Sequence, residues 1–288
     1  MIRHAVIPAA GFGTRFLPAT KAQPKEMLPI VDKPAIQFVV EEVAASGIRD
    51  ILIITGRGKR AIEDHFDKSF ELEEFLKKSG KTEQLAEIQK ISSLADIHYM
   101  RQKEQLGLGD AVLCAEKHIG SEPFALLLGD IIVESKVPCT KQLMEKHAKH
   151  GAGVIAVEEV AKENVGKYGI VKPKGAISET FEVGALVEKP LAANAPSNLA
   201  IIGRYVLEAD IFDELKNAKP GKNGEIQLTD SLNAIAQKRK LLATKFEGKS
   251  YDIGDKLAYA EAFAGLAMKR KDIGQEFRES LRKMLGSS

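Results

Sequence analysis

The chain has 288 residues, of which 44% are hydrophobic and 28% are charged, with 42 Lys and Arg against 40 Asp and Glu. The net charge of +2 gives no large field, which argues against a nucleic-acid or membrane partner and requires any anion site to be local. Cys114 and Cys139 stand in no metal-ligand or redox spacing, which favours reduced thiols. Without an apolar run of about 18 residues or an apolar N-terminal segment, the sequence predicts a cytoplasmic protein.

Strands and helices alternate in the first part of the chain. Apolar runs predict strands at 5–8, 51–54, 97–100, 124–128 and 153–160, and helical spacing predicts helices at 35–45, 111–118 and 140–149. The charged stretch 59–94 predicts two or three amphipathic helices, which form an inserted lobe. This alternation is typical of a mostly parallel sheet whose ligands lie beyond the carboxyl ends of the strands.

The pattern changes after Gly166. Strand-like pieces are predicted at 169–171, 184–187, 200–206 and 242–246, and helices at 210–217, 229–237, 256–268 and 274–284. No linker or internal repeat interrupts the chain, so we expect a single domain over 1–288. Its parts are a nucleotide half (about 1–150), a second-ligand half (about 151–255) and C-terminal helices (about 256–288). The expected fold is a Rossmann-like three-layer α/β/α sandwich with a mixed, mostly parallel central sheet.

A glycine-containing loop after the first strand carries the strongest functional signal. It holds Gly11, Gly13, Thr14 and Arg15 and continues through Lys25. Glycines after a strand let backbone N–H groups approach an anion, and Arg and Lys supply the compensating charge. The loop lacks the third glycine of the dinucleotide fingerprint and the Gly-Lys-Ser/Thr of a P-loop. We interpret it as a nucleoside triphosphate loop, with a tight structural turn as the alternative.

The longer motif resembles the signature of sugar-1-phosphate nucleotidyltransferases. Gly-Phe-Gly-Thr-Arg at 11–15, Phe-Leu-Pro-Ala-Thr-Lys at 16–21 and Pro-Lys-Glu-Met-Leu-Pro at 24–29 are similar to bacterial UTP–glucose-1-phosphate uridylyltransferases in particular. Further similar motifs lie at 66–73, 105–109, 128–130, 167–169, 187–190, 203–205, 225–230 and 251–254. The resemblance implies that UTP and glucose 1-phosphate give UDP-glucose and pyrophosphate, and it favours a homodimer or homotetramer.

In that reaction the sugar phosphate is already anionic and can attack the α-phosphorus without a protein nucleophile. Positioning and electrostatic stabilisation should therefore dominate catalysis. The resemblance implies that Arg15 binds the leaving pyrophosphate, Lys25 the reacting phosphates and Lys189 the sugar phosphate. From position alone, the alternative interpretation is a surface salt bridge for Arg15 and Lys25, and a solvated Glu-Lys pair at a turn for Lys189.

The resemblance also implies a magnesium site. Asp130 stands where a strand meets the ligand edge, and Asp252 is the second expected ligand of Mg²⁺, which prefers carboxylates together with phosphate oxygens and water. Position 131 is isoleucine where many relatives carry a second aspartate, which disfavours a third carboxylate. A helix cap is the alternative role for Asp130.

The remaining candidates surround the base and the sugar. For the base they are the backbone of Ala9, Ala10 and Gly11, the side chains of Glu26 and Gln102, and Gly107, which allows close packing of the ring. For the sugar they are Glu188, Gly169 and Asn198. Neighbouring strand residues point to opposite faces, so Glu188 and Lys189 can share a ligand only if the chain bends before Pro190.

The histidines add no site to this interpretation. Six are present, and they form no cluster in the sequence; His147 and His150 lie three apart on a predicted helix, which favours a solvated face. Alternative functions are a related nucleotidyltransferase that uses dTTP or another sugar 1-phosphate, and a non-catalytic nucleotide-sugar-binding protein. A Rossmann dehydrogenase is a weaker alternative.

Overall fold

A computed structural model describes residues 1–221 and 224–286, so positions 287–288 of the expected C-terminal segment lie outside it. In these residues the strands are β1 His4–Ala9, β2 Pro29–Ile30, β3 Lys33–Pro34, β4 Asp50–Thr55, β5 Asp96–Arg101, β6 Phe124–Leu127, β7 Ile131–Glu134, β8 Gly153–Glu159, β9 Gly169–Pro173, β10 Thr180–Glu188, β11 Leu199–Leu207, β12 Leu241–Lys245 and β13 Lys249–Asp252. The α-helices are α1 Ala35–Ala45, α2 Arg60–Phe66, α3 Phe70–Lys78, α4 Thr82–Ser92, α5 Leu108–Leu113, α6 Glu116–Ile119, α7 Cys139–His150, α8 Ile211–Asn217, α9 Leu228–Lys238, α10 Lys256–Ala267 and α11 Gly274–Gly286.

The central sheet runs in the order β5-β4-β1-β6-β11-β8-β12-β10-β9. Strands β5, β4, β1 and β6 are parallel to one another, and so are β8 and β12. Strands β10 and β11 run antiparallel to their neighbours. The expected mixed, mostly parallel sheet is therefore confirmed. Because β11 lies between β6 and β8, it hydrogen-bonds the first part of the chain to the second.

Helices cover both faces of this sheet because β1 alternates its apolar side chains. Val6 packs into a core with α5, α8 and α9, whereas Ala5 and Ile7 pack into a second core with α1, α2 and α7. The result is the three-layer sandwich expected from the sequence. Helices α2, α3 and α4 form the connection between β4 and β5, as the charged stretch predicted, with Phe70 and Phe75 of α3 exposed.

Two short sheets were not evident from the sequence. Strand β2 pairs with β3, and β7 pairs with β13 in an antiparallel ladder that sets Asp252 opposite Ile131. Helix α10 packs on β13 through Ala262 and Tyr251. Strands of two to four residues carry too little periodicity to be detected, yet the second ladder brings the segment after Asp130 beside Asp252.

The short helix expected at 111–118 is instead two helices, α5 and α6, separated by Cys114 and Ala115. Among the described residues, no helix combines the length and the apolar character needed to cross a lipid bilayer.

Candidate active site

A cleft of about 280 Å³ opens beyond the carboxyl ends of β1, β5 and β6. It is lined by Pro8, Ala10, Gly11, Lys25, Glu26, Gln102, Gln105, Gly107, Leu108, Ala111, Leu128, Asp130 and Glu225. Candidates that lie far apart in the sequence thus face one space. Ala9 is the buried last residue of β1, and the exposed Thr14 begins a 3-10 turn; neither belongs to the lining.

The glycine loop folds over Lys25 and fixes its position. Gly13 has a φ of 68°, and a Cβ on it would lie 3.1 Å from Cβ of Lys25, so this position requires glycine for both conformation and space. The Thr20 hydroxyl donates to the Gly13 carbonyl at 2.7 Å, and a Cβ on Gly11 would lie 3.8 Å from Nζ of Lys25. The glycine loop therefore packs against the Lys25 side chain and restricts where its ammonium group can lie.

Lys25 donates a hydrogen bond from Nζ to the carboxylate of Asp130, the residue that follows β6 by three positions. Burial disfavours both charges, but their mutual attraction prevails, raising the pKa of Lys25 and lowering the pKa of Asp130. Both groups are therefore charged at neutral pH, and the cleft contains a fixed ion pair.

Arg15, Asp130 and Asp252 converge around Gly254. A Cβ on Gly254 would lie 2.9 Å from Oδ1 of Asp252, 3.4 Å from Oδ2 of Asp130 and 3.7 Å from Cζ of Arg15. The Gly254 N–H donates to Oδ1 of Asp252 at 2.9 Å. Burial raises the pKa of Asp252, and the negative charge of Asp130 raises it further. Two carboxylates crowded in this way can hold an oxygen-seeking cation.

Glu26 forms an ion pair with Lys59, a residue that sequence reasoning missed. The Nζ to Oε2 distance is 2.7 Å, and the two side chains are only 6% and 1% exposed. Burial raises the pKa of Glu26, whereas the charge of Lys59 opposes that rise. The only sequence signal for Lys59 was its place in the loop after β4. The pair leaves Glu26 less free to bind a base than the sequence suggested.

Gln102 is held in one orientation at the same cleft. Its Nε2 donates to Oδ2 of Asp110 at 2.7 Å and to the Gly107 carbonyl at 3.1 Å, so both amide hydrogens are used and Oε1 remains as an acceptor. Gln105, which sequence reasoning assigned to no role, donates to the Ala10 carbonyl at 2.8 Å and also lines the cleft. Its only signal was membership of the motif at 105–109.

A second cleft of about 420 Å³ contains the candidates Glu188 and Lys189. It is lined by Leu186, Val187, Glu188, Lys189, Gly221, Glu225, Gln227 and Asp230. The Thr229 hydroxyl donates to Oε2 of Glu188 at 2.6 Å. A Cβ on Gly169 would lie 2.9 Å from that hydroxyl, so glycine is needed there. Glu225 lines both clefts, which places them side by side.

The chain bends where the sequence required a bend. Strand β10 ends at Glu188, and Lys189 adopts a φ of 43°, a backbone conformation that residues other than glycine adopt infrequently. Nζ of Lys189 therefore approaches Oε1 of Glu188 to 3.3 Å. Asn198 is exposed before β11 and belongs to the lining of neither cleft, so the structure does not bring it to the other candidates.

Comparison with known proteins decides the family. Residues 4–269 match the family model described as Nucleotidyl transferase. The chain belongs to the nucleotidyl transferase family. This nucleotidyl transferase is 57% identical over 272 residues to the UTP–glucose-1-phosphate uridylyltransferase YngB of Bacillus subtilis, with 94% of this chain and 92% of that protein covered. The resemblance found in the sequence is confirmed.

Solved structures agree with this membership of the nucleotidyl transferases. A crystal structure of UDP-glucose pyrophosphorylase complexed with UDP-glucose is 45% identical, has a TM-score of 0.87 and covers 94% of this chain and 100% of its own. A UTP-bound UGPase from Acinetobacter baumannii is 38% identical, has a TM-score of 0.91 and covers 98% and 99%. These likenesses confirm the fold expected from the sequence.

Proposed function

We propose that this enzyme transfers UMP from UTP to glucose 1-phosphate in a Mg²⁺-dependent reaction that gives UDP-glucose and pyrophosphate. The convergence of four charged side chains carries the proposal: Lys25 and Asp130 line the cleft and form an ion pair, and Arg15 and Asp252 meet Asp130 around Gly254. The two cations can hold triphosphate oxygens, and the two carboxylates can hold a metal ion that binds the same oxygens. The substrates follow from the names of relatives up to 57% identical to this chain.

The chemistry needs little from protein acids or bases. A phosphate oxygen of the sugar phosphate forms a bond to the α-phosphorus, and the bond from the α-phosphorus to the oxygen bridging to the β-phosphorus breaks. The electron pair leaves with pyrophosphate. Arg15 stabilises this leaving group, Lys25 the reacting phosphates, and Lys189 directs the attacking phosphate, so each negative charge that builds up meets a cation.

Asp130 and Asp252 fit a magnesium ion. Their carboxylates approach one point beside Gly254, and the raised pKa of Asp252 reflects burial and repulsion from Asp130, which a cation relieves. When bound, Mg²⁺ would neutralise phosphate charge and orient the triphosphate. The ammonium of Lys25 already supplies one positive charge to Asp130.

Gln102 and Glu188 are held in fixed orientations by hydrogen bonds, and we assign to them the selection of the base and the sugar. Oε1 of Gln102 accepts from the N3–H of uracil, a donor that cytosine lacks. The backbone from Ala9 to Gly11 contributes to base contacts, and Gly13 and Thr14 to phosphate contacts. Glu188, oriented by Thr229, accepts from sugar hydroxyls.

A substrate panel tests the proposal. Pyrophosphate release is measured with UTP, dTTP, CTP and ATP against several sugar 1-phosphates, with EDTA and the Asp130→Asn variant as controls. We expect UTP with glucose 1-phosphate to be fastest, and both controls to remove most turnover. If dTTP or another sugar 1-phosphate reacts faster, the proposed substrates are wrong and that pair takes their place. Binding of UDP-glucose without turnover would indicate a non-catalytic protein.

A further inference from the structure

Three side chains cluster at the end of the sheet away from the cleft. Nδ1 of His4 lies 3.0 Å from Oδ2 of Asp50, and Nε2 of His118 lies 2.8 Å from Oδ1 of the same carboxylate. One ligand atom from each of the three residues lies within 4.8 Å of the others. The sequence-based expectation that the histidines form no cluster is therefore wrong.

The sheet register creates this cluster. His4 pairs directly with Asp50 across β1 and β4, and Leu52, two residues along, pairs with His98 on β5. Residues two apart on a strand share a face, so His4, Asp50 and His98 lie on the face of Val6 and Leu52, which α5 and α8 cover further along. Helix α6 brings His118 to the same place. His4, Asp50 and His118 are far apart in the sequence, so their proximity in the fold could not be predicted.

The surroundings resemble those of a metal centre. Nε2 of His4 lies 3.4 Å from Oε2 of Glu122, whose other oxygen pairs with Arg3. A carboxylate on the second nitrogen of a histidine is the arrangement that orients metal-bound imidazoles. Nε2 of His98 lies 4.0 Å from Oδ1 of Asp50, within reach as a fourth ligand. His4 and His118 are about one-fifth exposed, so an ion can enter from solvent.

We propose that His4, Asp50 and His118 bind a divalent transition-metal ion of the Zn²⁺ class. Two imidazole nitrogens and one carboxylate oxygen are a donor set that suits Zn²⁺ and neighbouring ions better than Mg²⁺. The 2.8 and 3.0 Å contacts join the imidazoles to different oxygens of Asp50. A tetrahedral ion with bonds of about 2.0–2.1 Å separates its ligand atoms by about 3.3–3.4 Å, so the side chains must move apart by about half an ångström to admit it.

The site is separate from the cleft. His4 begins β1 and Ala9 ends it, so five steps of about 3.3 Å place the two functional ends of this strand about 17 Å apart. An ion there joins β1, β4 and α6. Its expected effect is on the stability of this sheet edge, with no part in the reaction.

Zinc titration of the untagged, EDTA-treated protein tests the site. Isothermal calorimetry with Zn²⁺ is carried out in excess Mg²⁺, which competes with Zn²⁺ for sites made of carboxylate oxygens alone. We expect one saturable Zn²⁺ per chain and a Zn²⁺-dependent rise in the unfolding temperature. His118→Ala and Asp50→Asn should lose the site, and Glu122→Gln should bind about 10-fold more weakly or worse.

Two variants serve as matched controls. His150→Ala removes an exposed histidine of α7, and Asp130→Asn alters the cleft; both should bind Zn²⁺ as the wild type does. If His118→Ala does not fold, His4→Gln provides the same test. Absence of saturable binding in the wild type, or equal binding by the ligand variants, would overturn the proposal. Because no substrate is used, the result is independent of the proposed reaction.

Discussion

The neighbouring carboxylates of Asp130 and Asp252 make opposite contributions to the stability of the folded state. Asp130 is stabilised by the ammonium of Lys25, and its pKa is low. Asp252 is half-buried beside Asp130, and burial together with the charge of Asp130 raises its pKa although Gly254, Arg15 and Lys25 favour the charged form. A carboxylate whose charge is disfavoured in the native state destabilises the fold at neutral pH, so function and stability conflict at this residue.

Asparagine substitutions should therefore shift stability in opposite directions. In EDTA at pH 7.5, Asp252→Asn should raise the free energy of unfolding by about 0.5–2 kcal/mol, because repulsion is removed while Oδ1 can still accept from Gly254. Asp130→Asn should lower it by about 1–3 kcal/mol because Lys25 loses its charged partner. Both should lose activity. Urea denaturation measures the shifts, and equal destabilisation by both variants would contradict this account.

Lys25 itself can be tested by truncation. Lys25→Ala should lower kcat by about 10²–10³-fold, the usual cost of removing one charge-stabilising group. The circular dichroism spectrum should be unchanged, because the loop around Gly13 keeps its own hydrogen bond from Thr20. Lys141→Ala, an exposed lysine on α7, is the matched control. A Lys25→Ala enzyme with near-normal turnover would remove the residue from the catalytic machinery.

At the scale of elements, a buried ion pair joins strand β11 to helices α1 and α7. Arg204 on β11 is fully buried and lies 2.9 Å from Oε2 of Glu42 on α1, whose Oε1 accepts from the backbone and hydroxyl of Thr140 on α7. Arg204 also donates to the Leu128 and Ile131 carbonyls at 3.4 and 2.7 Å. The buried Arg204 thus holds the loop around Asp130 through hydrogen bonds to carbonyls on both sides of it.

Breaking this pair should be costly. Arg204→Met should lower the free energy of unfolding by about 3–5 kcal/mol, because Glu42 is left buried and unpaired. The double variant Arg204→Met/Glu42→Gln removes the orphaned charge and should recover part of the loss. Urea denaturation of the two single variants and the double variant measures the coupling. Strictly additive losses would show that the two side chains do not act as a pair.

Helix α2 carries a pH-sensitive contact with α1. Nε2 of His65 lies 2.9 Å from Oε1 of Gln37, and burial lowers the pKa of His65 below its ordinary 6.5 despite the nearby Glu41. The unfolded chain then binds the proton more readily than the native chain. The free energy of unfolding should therefore fall as the pH drops through 6.5 towards the lower native pKa, and then level off.

Comparison with His65→Gln isolates this effect, since glutamine can still donate to Gln37 without titrating. The stability of the wild type relative to His65→Gln should decrease between pH 7.5 and 5.5. His150→Gln, on the exposed end of α7, should show no such trend. A pH-independent difference for His65→Gln would assign the acid sensitivity to other groups.

At the scale of the whole molecule, we propose that the two halves unfold together. Strand β11 from the second half lies between β6 and β8, so separating the halves breaks the centre of one sheet. Urea unfolding followed by far-ultraviolet circular dichroism and by tyrosine fluorescence should give coincident transitions. Two resolved transitions would divide the chain into independent domains.

Much of the fold follows from local pattern. Strands β1, β4 and β6 are buried on both faces and appear as continuous apolar runs, and the three helices of the insertion follow from charge periodicity. Strand order could not be derived, because the position of β11 depends on pairing between distant segments. The β7–β13 ladder was too short to predict.

The lining of the candidate site was predictable where its residues are concentrated in one sequence motif. The loop containing Arg15 and Lys25 was found from its glycines and charges. Lys59 and Thr229 were missed because a buried partner is defined by contacts in space and carries no signal along the sequence. The cluster around Asp50 was missed for the same reason, since its members come from separate elements.

The segment at 225–226 separates the two clefts and limits how the substrate specificity of the enzyme can change. Ile226 accepts a hydrogen bond from the N–H of Gly109 at 2.8 Å and donates one to the Leu106 carbonyl at 2.6 Å, while Glu225 lines both clefts. If the clefts bind the substrates as proposed, a substitution that reshapes segment 225–226 for a new sugar also moves the loop at 106–109, which faces the nucleotide. On that proposal, a change of specificity for one substrate is most accessible through residues remote from segment 225–226, because both substrates constrain this segment.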